Sequence, residues 1–162
     1  MQMISHGIIS AALFFSIGSI YNRYKTKKIE HFEGLNKVMP KFSIFFLIFT
    51  LGAIGFPGTS GFVGEFLTLL SVFSKNTYIA VLASTGIILA AAYMLLMYKR
   101  IFLGPTKDYL EKKANDINSF EIAVYSILIF LIIFIGIKPN LILDFSTSSI
   151  ERIIKLYPIS IL

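Results

Sequence analysis

The stretch Lys41–Phe73, KFSIFFLIFTLGAIGFPGTSGFVGEFLTLLSVF, decides the fold. It reads as one apolar run, yet Gly55-Phe56-Pro57-Gly58-Thr59-Ser60-Gly61 sits in its middle. Proline removes a backbone donor and clashes with the preceding turn, and glycine adds no helical bias. The run therefore divides into two halves, Phe42–Ile54 and Phe62–Phe73. At a rise of about 1.5 Å per residue each half is roughly 18–20 Å long, too short for an apolar layer of about 30 Å. Joined, they are long enough. A span broken inside lipid frees backbone groups that lipid cannot satisfy, so the break is expected to face protein or a water-filled cavity. Four residues past Gly61 comes Glu65, read as the one acidic residue inside an apolar run. An ionisable side chain at that depth is either a functional site or a carboxyl that caps backbone donors freed at the break, and broken helices recur at the ion sites of coupled transporters.

Working outward, three further runs approach or exceed the spanning length of about 20 residues: Met1–Tyr21, Tyr78–Phe102 and Phe120–Ile137. The chain has 162 residues, 56% hydrophobic and only 15% charged, which fits a membrane protein better than a soluble domain. The expected fold is an all-α integral membrane protein, a single transmembrane domain over residues 1–162. It has four spans, the second one broken. The tail Asn140–Leu162 alternates apolar patches with Asp144, Glu151, Arg152 and Lys155, as an amphipathic interfacial helix does, with Ser146–Ser149 as its N-cap region.

Charge placement gives an orientation. The loop Asn22–Lys41 carries six Lys/Arg against two acids, Lys99–Ser119 carries five against three, and the turn between them only Lys75. The positive-inside rule puts both basic loops on the matrix or cytoplasmic side. The net charge of +6 thus belongs to the loops and to lipid headgroups, not to nucleic acid. No cleavable leader is expected, since the first run has no basic region before it. Cysteine is absent and only two histidines occur, so thiolate chemistry, cysteine-held clusters and zinc or haem ligation have no residues to use. No nucleotide-binding or nucleophile motif is found. Cofactors and metals are therefore expected to be absent from this chain, and any redox chemistry to lie in its partners.

His6 stands near the start of the first span. As an imidazole it is either a hydrogen-bonded interfacial residue or a proton relay, because it titrates near neutrality and carries a proton on either nitrogen. Met39-Pro40 reads as the start of the broken span. Tyr93 and Tyr98 read as packing or interface residues, and Lys99-Arg100 as cations reaching the headgroups. The last apolar run reads as an aliphatic scaffold without a relay residue.

The residues MISHGIISAALFFSIGSIYNRYKTKKIEHFEGL, then GFPGTSGFVGEF, AAYMLLMYKRIFLGP and GIKPNLILD in the same order, closely resemble the proton-translocating antiporter-like subunits of respiratory complex I. The likeness is strongest to the M-type members, called chain 4 in mitochondria, and runs from about Met1 to Ser146. It implies that these spans are the last four of about fourteen, so that the sequence is expected to be either a fragment or the product of a split gene, with a second chain supplying the missing ones. It also implies two site residues. His6 matches the family's SHG histidine, on a polar chain through the membrane. Glu65 matches the acidic residue of the second broken helix, where related subunits place lysine, and reads as the exit-side proton site. Gly55, Pro57, Gly58 and Gly61 would form the break.

The resemblance implies a membrane-arm subunit of NADH:ubiquinone oxidoreductase that couples quinone reduction to proton translocation. FMN, iron–sulfur clusters and quinone would be bound by other subunits, and neighbouring antiporter-like subunits and lipid would be its partners. The alternatives are a subunit of a multi-chain Na⁺/H⁺ antiporter or a non-conducting structural piece of the membrane arm. Twelve lysines against three arginines, with abundant Ile and Phe, suggest an AT-rich gene and so the mitochondrial inner membrane, with a bacterial plasma membrane as the other setting.

Overall fold

A computed structural model describes residues 1–111 and 115–156. Helix α1 (Gln2–Tyr24) ends at Lys25, whose φ of 56° gives a left-handed cap. A short 3-10 turn at Ile29–His31 and the four-residue α2 (Leu35–Val38) lead to α3 (Pro40–Ala53). Then come α4 (Ser60–Lys75), α5 (Thr77–Phe102), the single turn α6 (Asp108–Glu111), α7 (Ser119–Ile137) and α8 (Asn140–Leu156). No strand is present among the described residues.

Three helices, α1, α5 and α7, are long and apolar enough to cross a membrane. Helices α3 and α4, with 14 and 16 residues, are the two halves of the interrupted run. Pro40 stands at the first helical position of α3, where its missing N–H costs nothing. The chain leaves helix at Ile54–Thr59 because Gly55 and Gly58 take φ of 69° and 94°, conformations that residues with a Cβ avoid. The loop satisfies its own backbone: Phe56 N–H donates to the Leu51 carbonyl at 3.0 Å, and the Thr59 hydroxyl to the Phe56 carbonyl at 2.7 Å.

The core lies at the end of the bundle that carries the basic loops. Tyr125 of α7 is fully buried among Phe15, Phe42, Phe45 and Phe49, with ring centroids 5.4 to 6.2 Å away, and its hydroxyl donates to Ser19 Oγ at 2.8 Å. Tyr98 stacks on Phe102 at 4.7 Å and shares a 2.7 Å hydrogen bond with Ser43, so it packs as expected. The two basic loops meet there: Gly34 N–H donates to the Leu103 carbonyl at 3.3 Å. Most of α5 is exposed, Leu82 and Ile88 at 71% and 67%, the surface of a helix that faces lipid or further protein.

Ser146 and Thr147 do not lie in an N-cap region. Helix α8 begins six residues earlier than Ser146, after Pro139, whose carbonyl accepts from Ile142 and Leu143 N–H. Mid-helix, the Ser146 and Thr147 hydroxyls bond back to the Ile142 and Leu143 carbonyls at 2.7 and 2.8 Å, a habit that competes with capping. The tail beyond residue 156 lies outside the described residues.

At its far end α7 crosses the break. A Cβ on Gly136 would fall 2.8 Å from Thr59 Cα and would collide with the Gly58 carbonyl. Gly136→Val is therefore expected to cost about 1–3 kcal/mol through overpacking against backbone that cannot yield. Thermal unfolding in detergent reads this as a lowered midpoint, and an unchanged midpoint would show that the crossing is looser than described.

Candidate functional site at the helix break

The site forms where α1 crosses the start of α4. Ile9 packs into the gap between Gly52 and Gly61, its atoms 3.4 to 3.6 Å from where their Cβ atoms would be. Gly61 belongs to the first turn of α4 and lies against the Gly52 carbonyl, so its lack of a side chain sets helix spacing more than it shapes the loop. Ser5 and Ser60 share a 2.9 Å hydrogen bond across the same crossing. Further along, Gln2 lies on Gly64. Small residues at one helix contact are how membrane helices approach closely.

This crossing brings the two titratable residues together. His6 and Glu65 line one cavity of about 210 Å³, with Ser10, Gly61, Tyr93 and Met94 among its walls. His6 Nε2 lies 3.2 Å from Ser10 Oγ, one turn along α1, so a hydroxyl extends the imidazole along the cavity. Glu65 stands in the second turn of α4, and its carboxylate packs against Gly55 of the break. A Cβ at Gly55 would collide with it. Among the described residues the carboxylate accepts no hydrogen bond from the freed backbone donors, so it does not cap the break. Glu65 also borders a second cavity of about 210 Å³, between α4 and α5, lined by Thr68, Val72, Ala83 and Ile87. Pro57 sits exposed at the tip of the loop.

A family profile described as NADH:quinone oxidoreductase/Mrp antiporter, TM, matches residues 1–90, which hold α1, the break, His6 and Glu65. The chain belongs to this family. NADH-quinone oxidoreductase subunit M of Rhodobacter capsulatus is 41% identical over 156 residues, covering 96% of this chain and 30% of that protein. NADH-ubiquinone oxidoreductase chain 4 of Marchantia polymorpha is 39% identical, with 96% and 31% covered. The chain thus spans about a third of the length of these relatives. Among solved structures, a chain of respiratory complex I from Thermus thermophilus with bound NADH superposes at a TM-score of 0.76 with 30% identity, over 84% of this chain and 28% of that one.

Two charged residues escaped the reading of the sequence. Glu121 lies inside the apolar run Phe120–Ile137, so Glu65 is not the one acid in such a run. Glu121 is 9% exposed and forms a two-pronged ion pair with Arg23, at 2.8 and 2.6 Å. The remaining Arg23 donors reach the Ser19, Asn115 and Asp116 carbonyls at 2.9 to 3.2 Å, which uses all five of its N–H groups. The Asp116 carboxylate accepts from Lys41 and Phe42 N–H at 2.9 and 3.2 Å and so caps α3 from a distant loop. One signal was legible: Asn118 and Glu121 have capping-box spacing before an apolar run, and the box is formed.

Proposed function

We propose that this chain is part of the membrane arm of an NADH:quinone oxidoreductase and carries protons through it. The observation that supports this is the joining of His6 and Glu65, from two helices, in one cavity at a helix break. The carboxyl of Glu65 holds the proton, and the imidazole of His6 delivers it through Ser10 and bound water. The second cavity, on the far side of Glu65, leads along α4 towards Lys75 and serves as the exit. Gly55, Pro57 and Gly58 form the break, and Gly61 sets how closely α4 approaches its neighbours. Four spans cross the membrane, α3 and α4 together making the second, with the basic loops on the matrix or cytoplasmic side. Electron transfer, FMN, iron–sulfur clusters and quinone belong to partner subunits. The compartment is the mitochondrial inner membrane or, equivalently in physics, a bacterial plasma membrane.

Mild solubilisation, native separation and mass spectrometry of the NADH-oxidising band test the assignment. The chain is expected in that band. Migration apart from that band would refute membership. Because the family also covers Mrp antiporters, cation–proton exchange that persists after loss of every NADH-oxidising partner would select that second reading.

A further inference from the structure

We propose that the side-chain amide of Gln2 is a positioning residue for proton transfer, bridging the two cavities on either side of Glu65. This rests on the reading of Glu65 as the proton site. Among the described residues, only Gln2 and Glu65 occur in the linings of both cavities, the one shared with His6 and the one between α4 and α5. The seat of Gln2 is specific. Its amide oxygen occupies the space a Cβ would need at Gly64, and its own Cα lies 3.1 Å from that point. A residue with a side chain at 64 would push Gln2 off α4. Gly64 is buried one position before Glu65, and Gln2 and Glu65 border both cavities together.

The chemistry suits the position. An amide offers one carbonyl acceptor and two N–H donors but does not titrate, so it orders water without trapping the proton. Each cavity has room for several water molecules, and a polar group is needed to hold water at their junction, because apolar walls leave such space dry. Leu69, Val72, Ala83 and Ile87 make the second cavity largely apolar. Gln2 supplies donors and an acceptor at its entrance, where Glu65 alone offers none when ionised but acceptors.

The test compares Gln2→Met, Gln2→Asn and Gly64→Ala in the assembled membrane complex, with Glu65→Gln alongside. Met keeps the length and bulk of Gln but removes its hydrogen bonding. Protons translocated per NADH oxidised are measured at equal amounts of assembled complex. Gln2→Met and Gly64→Ala are expected to lower this ratio several-fold, and Gln2→Asn to retain most of it. An unchanged ratio in Gln2→Met, with Glu65→Gln defective, overturns the role of Gln2 and leaves that of Glu65 standing. A loss in Gln2→Asn with none in Gln2→Met would show that length, not the amide, matters, and also overturn it. An unaffected Glu65→Gln removes the underlying reading as well.

Discussion

Arg23→Leu is expected to lose about 3 kcal/mol of stability and to leave little assembled protein. Removing one partner of a buried ion pair strands the other, at a typical cost of about 3–5 kcal/mol. Arg23 and Glu121 keep 16% and 12% side-chain exposure, which places the loss at the lower end of that range. More than the pair is lost. The guanidinium ties α1 to the 115–116 segment and to the first turn of α7 through four hydrogen bonds, and Asp116 in that segment caps α3. Loosening it lets three helices drift at the end where the aromatic core is packed. Arg23→Lys keeps the charge but cannot make the fork, and is expected to recover only part of the loss. The double variant Arg23→Leu with Glu121→Leu removes the stranded carboxylate. It is expected to be more stable than Arg23→Leu alone, though below the parent, because the carbonyls of Asn115 and Asp116 lose their guanidinium donors. Thermal unfolding of the parent, the two single leucine variants and the double variant closes a double-mutant cycle. A coupling energy near zero would show that the pair is a surface contact only.

The long helices were legible in the sequence because each obeys a local rule. Gly55, Pro57 and Gly58 break the long run wherever it is placed, and Pro40 opens it. Apolar length alone finds α1, α5 and α7. The convergence of His6 with Glu65 was not legible from spacing, since it depends on which faces of α1 and α4 meet. Ile9 between Gly52 and Gly61, and Gln2 on Gly64, decide that. The family likeness carried it instead. The Arg23–Glu121 clamp escaped for a different reason. Charges at the ends of apolar runs usually face headgroup and water, and only the fold shows that the loop before α7 returns to α1. Ser146 and Thr147 misled because the residues that favour caps also tolerate helix interiors when their hydroxyls bond back one turn.

Glu65→Gln is expected to abolish most proton translocation while leaving the complex assembled and as stable as the parent, or more so. The substitution keeps shape, so the new amide fits against Gly55 as the carboxyl does. It removes no ion pair, because Glu65 has none among the described residues, and it relieves a half-buried carboxyl of the need to carry charge. A stability defect therefore has no source here, in contrast to Arg23→Leu. What the variant loses is the capacity to bind and release a proton, and an amide cannot replace it at any pH. Glu65→Asp keeps that capacity but draws the carboxyl one methylene back from Gly55, towards α4. Its translocation is expected to fall between those of the parent and Glu65→Gln, since proton transfer depends on reach through one or two waters. Gly55→Ala attacks the same contact from the other side, adding a Cβ where the carboxylate lies and strain at a φ of 69°. It should lower both stability and translocation, so only the glutamate variants separate chemistry from packing. Membrane vesicles energised with NADH, with acidification followed beside NADH oxidation, give the comparison. Full translocation in Glu65→Gln would reduce Glu65 to a packing residue at the break, and a fall in assembly equal to that in translocation would point to the same conclusion.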